Sequence, residues 1–589
     1  MFEHIPQNWF EMKDYRKRKF SGSVWIPLRS IQEVKTDNNG EEYFYSACVA
    51  FPPESIQEAE SLGWSEIGVI RSGGPYAYSN HSYKIAEVFQ YEEGKDMGVD
   101  LIFEQRIGCG HENIWHVNQD MIIALGLIQE GDIWVRPAEG YVDVIRLKRD
   151  AVGEVVLVEI KSEFLRDYLA ARGLILKLVY YRQRRAILHD ASHIEWPSGR
   201  IDIREHNSDF SAFVCEVDED GGPYGGGVAF TQIWRTDVDG EEDVPVFGPE
   251  SSSNTDGRFF SFTRSGKKFY LVEGELWREE WIEPANRSER VRGDDPEETI
   301  NYIVGSSGER QDSRSLRYED IGRYLWFSPR VFSEIIARRG AGVKWHTRDT
   351  GSIWMLSDWV VHFGINKIGL INVYAYDVAK LPIWQQRIWS AHNISPDGTV
   401  SSELLDAQMR TFPARTKAPE DIFPKAMDDL NAAVNDWIGN NLFQDHNAAE
   451  DIIKSIHRFR AIDESGFLSL SKDIARLVAD RILIENLHKV VSPPKGEKWG
   501  SLKSLEKALA TIVDANEARE LLSPLVGIYN LRMGDAHLPS SNIDSAMVLA
   551  GVPFGESGIF KGYTVINNTV EALLKIKEII ENSNESNKI

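Results

Sequence analysis

Cysteine is scarce: Cys48, Cys109 and Cys215 are the only three in 589 residues, far apart and odd in number. That excludes a disulfide framework and fits a reducing compartment. No apolar run approaches the roughly 18 residues that a membrane-spanning helix needs. The segment Met1-Phe2-Glu3-His4-Ile5-Pro6 has no basic stretch leading into an apolar core, so no secretory leader is expected. Positive charge is also in deficit, with a formal net charge of −24, and the segment from Asp421 onward shares the acidic balance. Tracking a nucleic-acid backbone requires clustered Lys and Arg, so an extended nucleic-acid surface is not expected. A small, locally basic site remains compatible with this balance. Together these features predict a soluble, cytoplasmic protein with no membrane partner.

What is present is the material of a folded chain. Hydrophobic residues make up 42% and aromatics 11%, including 17 Trp, which rules out a disordered polymer. The length exceeds what one core supports. The predicted fold class is α+β and multidomain. Region 1–153 reads as β-rich, region 154–419 as mixed α/β with a sensing role, and region 420–589 as an all-α helical bundle. In the first region, Tyr43 to Phe51 and Tyr141 to Ile145 are rich in β-branched and aromatic residues, and Asn38-Asn39-Gly40 and Glu130-Gly131-Asp132 supply turns. The second region opens on an apolar strand at 155–160. A helix over 162–172, stopped by Gly173, and another strand at 174–180 follow. Residues 381–393, with Trp384 and Trp389, read as a packed aromatic helix. Apolar residues at helical spacing predict helices over 425–442, 471–491, 501–513, 516–533 and 565–581, with Pro493-Pro494 and Pro539 as breaks.

Three upstream groupings carry chemistry-bearing residues. Asp143 on one expected strand and Glu159-Ile160-Lys161 on the next resemble the PD-(D/E)xK nuclease core. There, carboxylates hold Mg²⁺ and a lysine helps activate water. His111 and His116 bracket a pattern one residue longer than His-Glu-x-x-His. They do not share a helix face, and even with Cys109 nearby they read as strand and loop residues. The glycines between 221 and 227 follow no phosphate-binding spacing.

The most informative stretch is Tyr529-Asn530-Leu531-Arg532-Met533-Gly534-Asp535-Ala536-His537. A histidine can exchange a proton with the ribose 2′-OH or the leaving oxygen near neutral pH, and an arginine can brace the charge growing on a phosphate. Five residues of regular helix would place Arg532 and His537 about 140° apart. Their convergence therefore needs an unwound helix end, eased by Gly534 and Pro539, or a second subunit. The segment resembles the Arg-x4–6-His motif of the HEPN superfamily, helical domains of prokaryotic ribonuclease toxins and anti-phage effectors. That resemblance implies a helical bundle that dimerises or forms a higher homo-oligomer. It also implies RNA as substrate and cleavage that needs neither metal nor cofactor. His537 would be the general acid/base, Arg532 the transition-state brace, and Asn530 and Asp535 supporting groups. A phage-derived trigger sensed by the preceding regions would fit such an effector. Met533 stands where such motifs commonly carry a polar residue. The rival expectation is accordingly a noncatalytic protein that uses its bundle for binding or oligomerisation.

Overall fold

Apolar, β-branched and aromatic runs, buried on both faces in the central strands, bring most of the amino-terminal half into one large antiparallel sheet. The computed structural model describes residues 5–36, 40–69, 76–77, 83–92, 94–106, 113–217, 229–235, 253–259, 269–296, 298–317, 323–532 and 540–586. It divides into two units, Met1–Pro296 and Glu297–Ile589. The sheet of the first unit has twelve strands. In chain order they are β1 (Trp25–Lys35), β2 (Gly40–Phe51), β3 (Val88–Gln90), β4 (Asp96–Val99), β5 (Ile128–Glu130), β6 (Ile133–Arg136), β7 (Val142–Arg149), β8 (Val155–Lys161), β9 (Ile175–Leu188), β10 (Arg200–Glu205), β11 (Ser208–Val217) and β12 (Phe269–Ile282). The spatial order is β10-β11-β12-β9-β2-β1-β8-β7-β6-β5, with β4 pairing to β2 and β3 to β4.

The helix α1 (Ser162–Arg172) forms where its periodicity predicts and ends on Gly173 at φ +64°. Phe164, Leu165, Tyr168 and Leu169 of α1 are buried against Leu176, Leu178 and Tyr180 of β9 and Val158 and Ile160 of β8. Each such side chain contributes about 1.5–3 kcal/mol by leaving water. The other face of β9 carries Val179, which packs with Ala47, Val49 and Phe51. Lys177 also faces this way. It is 1% exposed, donates to the carbonyl oxygens of Ala59 and Glu60 and pairs with Glu279 at 2.8 Å.

The strand–helix–strand unit expected after Gly153 is present, but β8 and β9 are not neighbours. β1 and β2 lie between them, and every pairing across the four strands is antiparallel. The turn at Gly153 joins β7 to β8, adjacent strands of the same sheet. The mixed middle region therefore distributes over both units. Its strands β8 to β12 complete the large sheet, Ala229–Arg235 and Ser253–Phe259 pair as a separate hairpin, and residues from 298 onward belong to the second unit.

After a short hairpin (Asn301–Ile303 with Arg310–Asp312), the second unit holds a six-stranded sheet: β13 (Tyr324–Phe327), β14 (Gly342–Trp345), β15 (Thr350–Trp354), β16 (Val360–Ile365), β17 (Ile371–Tyr374) and β18 (Asn393–Ile394), in the order β14-β15-β16-β17-β13-β18. The helices α2 (Arg330–Ile336) and α3 (Ile383–Ala391) pack on it. Trp389 of α3 is 1% exposed and meets Phe327 edge-on at 4.9 Å, so the packed aromatic helix expected within 381–393 is present, confined to Ile383–Ala391.

From residue 419 the unit is helical: α4 (Pro419–Ile438), α5 (Ala449–Ser455), α6 (Glu464–Val478), α7 (Ser501–Leu509), α8 (Ala515–Arg532), α9 (Ser540–Ala550) and α10 (Gly558–Ser586). One apolar core joins them, drawing Leu430 from α4, Ile474 from α6, Leu505 from α7, Leu525 and Ile528 from α8, and Ile576 from α10. The protein is thus a mixed α+β protein with a β-rich amino-terminal half and a helical carboxy-terminal region. No helix among the described residues is long and apolar enough to cross a membrane.

Several helix boundaries differ from expectation: α4 begins at Pro419 and ends at Ile438, α7 ends at Leu509, and α10 runs from Gly558 to Ser586. The helix expected over 471–491 starts earlier, at α6, because Asp463 caps it by accepting from the Gly466 amide at 2.8 Å. It also stops earlier, because Ile482 leaves the helical path to bridge with Phe443. α9, beyond Pro539, was not anticipated. It lies so close to α8 that a Cβ on Gly527 would sit 2.2 Å from the Ala550 nitrogen. Gly527→Ala is therefore expected to destabilise the bundle by about 1–3 kcal/mol despite alanine's better helix propensity. Urea denaturation of the full chain checks this, and an unchanged or raised midpoint would show that the two helices separate freely.

Candidate functional site

Helix α8 carries the sequence motif to its carboxy-terminal end. Its last residue, Arg532, is about one-third exposed and directs Nη1 to both carboxylate oxygens of Asp480, each at 2.5 Å. Asp480 lies two residues past α6, so the bundle's own packing of α6 on α8 brings the pair together. The Tyr529 ring, one turn earlier, lies 5.6 Å from the guanidinium carbon. Asn530 is exposed. Asp535 and His537 lie outside the described residues, as does Met533. The structure thus places Arg532 with Tyr529 and Asp480. Nothing in the sequence marked Asp480, a lone acid 52 positions upstream of its partner.

A groove of about 490 Å³ runs beside α8. Its α8 wall presents Arg519, Ser523, Val526 and Tyr529, whose spacings of four, three and three keep them on one side of the helix. At 1.5 Å per residue, Arg519 to Arg532 spans about 20 Å, the length of a few nucleotides of single strand. Lys503 and Glu506 of α7 form part of the opposite wall and pair with each other at 2.6 Å. Arg519 is exposed and forms no ion pair among the described residues. The groove combines an aromatic platform with a cation, the two elements that hold a base and a phosphate.

The upstream groupings fare differently. Glu159 is buried, accepts from Arg146 and lies 3.4 Å from the Lys148 ammonium. Asp143 is exposed on β7, and the Lys161 ammonium sits 5.6 Å from the Trp25 ring. Among the described residues no group of three or more His, Cys, Asp or Glu side chains is placed to hold a metal ion. His116 bonds to Gln105 at 2.8 Å and stacks on Phe103. Cys109, His111 and the glycines at 221–227 lie outside the described residues.

A second concentration of polar chemistry, unmarked in the sequence, is His457-Arg458-Phe459-Arg460, between α5 and α6. Arg458 is 1% exposed and holds Glu420 through Nε at 2.7 Å and Nη2 at 2.8 Å. Its guanidinium carbon lies 4.3 Å from the Trp345 ring and 4.6 Å from the Tyr563 ring. Phe459 stacks on Trp345 and meets Phe332 at 4.4 Å, binding the sheet of this unit to its helices. His457 is buried beside them, and burial first, then the positive charge of Arg460, pushes its imidazole down to about 4. Compared with family models, curated proteins and solved structures, the chain matches none.

Proposed function

We propose that the helical bundle is a HEPN-type endoribonuclease acting in antiviral defence or toxin-type growth arrest, with the amino-terminal unit sensing or regulating. The observation that carries this reading is Arg532. It sits partly exposed at the end of α8, beside a groove that offers Tyr529, Arg519 and Lys503, and five residues ahead of His537.

In the reaction, neutral His537 accepts the 2′-OH proton as that oxygen attacks the adjacent phosphorus. The P–O5′ bond breaks and the leaving oxygen takes a proton, giving a 2′,3′-cyclic phosphate and a 5′-OH. Arg532 stabilises the charge on the non-bridging oxygens. Because Asp480 engages Nη1, the opposite guanidinium edge is the one that faces substrate, and Asp480 acts as a positioning residue. A second copy of the bundle, facing the first, would let the two motifs share one cleft.

The test is incubation of the full chain with labelled single-stranded RNA in excess EDTA, beside His537→Ala and Arg532→Ala. The expected result is cleavage with cyclic-phosphate ends, slowed about 10²–10³-fold or more in either variant, with DNA of the same sequence intact. Cleavage equal in wild type and His537→Ala removes His537 from the mechanism. Cleavage that requires Mg²⁺ and is lost in Glu159→Gln assigns the activity to the upstream strands instead.

One observation favours a second reading, a noncatalytic bundle that binds or self-associates: both oxygens of Asp480 already hold Arg532. In that reading wild type cleaves nothing, and Arg532→Ala changes oligomer size alone.

A further inference from the structure

A cleft of about 890 Å³ opens within the second unit between α2 and the α5–α6 segment. Its volume falls in the range of small-molecule sites, about 300–1,000 Å³. His457 is among the residues that line it; the residue is 6% exposed, and its Nδ1, itself closed off from solvent, has no hydrogen-bond partner. Buried polar atoms are ordinarily paired, and leaving one unpaired costs about 1–3 kcal/mol. An uncharged imidazole retains one donor and one acceptor, so it fits a ligand that offers a hydrogen-bonding edge. The depressed imidazole pKa agrees with that uncharged state.

The remaining walls narrow the chemistry. Arg460 is engaged through both terminal nitrogens, Nη1 to Asp473 at 2.8 Å and the Ser455 hydroxyl at 3.1 Å, and Nη2 to the Ser469 hydroxyl at 2.8 Å. It is a fixed wall and not a free hand. Two of the three carboxylates along the cleft are likewise committed. Glu334 accepts from Arg338 at 3.1 Å and pairs with His392 at 2.9 Å, while Asp463 caps α6. At the rim, Arg330 and Lys454 are exposed and form no ion pair among the described residues, which leaves positive charge there against Asp451. Ile336, Ala337 and Ile462 also line the cleft.

We propose that this cleft binds a nucleotide, with its heterocycle between Ile336 and Ile462, the ring edge bonded to His457, and its phosphates at Arg330 and Lys454. This site is separate in its residues from the Arg532 groove and stands whether or not the bundle cuts RNA.

The experiment is calorimetric titration of the full chain with AMP, ADP, ATP and GTP, with inorganic pyrophosphate as the base-free control. Nucleotide binding is expected, weakened about tenfold or more in the Arg330→Glu/Lys454→Glu double variant, whose changes lie on the surface and spare the fold. A second variant, Ala337→Trp, fills the slot and is expected to abolish nucleotide binding while pyrophosphate still binds. Three outcomes overturn the proposal: no heat with any nucleotide at millimolar concentration, affinity unaffected by charge reversal, or pyrophosphate binding as tightly as ATP.

Discussion

Arg458→Ala is expected to remove about 3–5 kcal/mol from the stability of the second unit, a large part of the 5–15 kcal/mol that holds a typical domain together. The size follows from what is left behind. Glu420 is almost as buried as Arg458 and receives the guanidinium fork and the Arg458 backbone amide, the latter at 3.2 Å. Without the fork, a carboxylate stays out of water with one amide for a partner, and Asp349 loses a cation 3.7 Å away. The two rings in contact with the guanidinium, Trp345 and Tyr563, would line a void. Lysine does not substitute, because an ammonium offers no planar fork to stack between rings and bond both carboxylate oxygens. Arg458→Met with Glu420→Gln removes both charges and is expected to recover much of the loss, since an uncompensated charge dominates it. Urea unfolding followed by tryptophan fluorescence reads all three variants. A loss below about 1 kcal/mol for Arg458→Ala would show that water reaches Glu420.

How much of this was readable in the sequence depends on whether a feature is local. Helix α1 was legible because its apolar face, its length and the stopping glycine lie within twelve residues. Strand β9 was legible only to about Tyr180, because Arg182-Gln183-Arg184-Arg185 looks like the end of a strand. In the sheet it continues to Leu188, since Arg182 and Arg184 meet Glu42 and Arg185 meets Glu41 on the neighbouring strand. Pairings of that kind are set by topology, which the strand's own pattern does not encode. The same holds for the candidate site. Arg532 could be singled out by its spacing to a histidine, but the carboxylate that holds it comes from the end of another helix. His457 and Arg458 escaped notice because charged and titratable residues are read as surface by default, and only packing shows that these two are interior.

That interior histidine makes the second unit acid-labile in a pH window set by its own titration. An exposed imidazole in the unfolded chain takes up its proton near 6.5, whereas in the folded protein burial and the charge of Arg460 delay protonation to about 4. Between those two values the unfolded state binds more protons, so stability falls as pH is lowered from 6.5 toward 4. It is fully present above the window and lost below it. The total is about 3 kcal/mol, at about 1.4 kcal/mol per pH unit in mid-window.

The groups facing His457 do not reverse this. Arg460 opposes a second positive charge and Glu420 favours it, but Glu420 is neutralised by Arg458. Arg330, Lys454, Glu334, Asp451 and Asp463 lie along the cleft above it. His346, whose imidazole is also lowered by burial, adds in the same direction. Asp421, raised by burial and by Glu420, works in the opposite sense near the foot of the window. Glu334, lowered chiefly by the hydrogen bond to His392, begins to lose its contribution as pH falls through its ordinary value of 4.5, at the foot of the window, and adds to the decline there.

His457→Gln keeps a polar side chain of similar size but cannot titrate. It is expected to flatten the decline between pH 6.5 and 4 by more than half, whatever it costs at pH 7. Unfolding midpoints of both proteins at half-unit steps across that range decide the matter: parallel curves would assign the acid sensitivity to other groups.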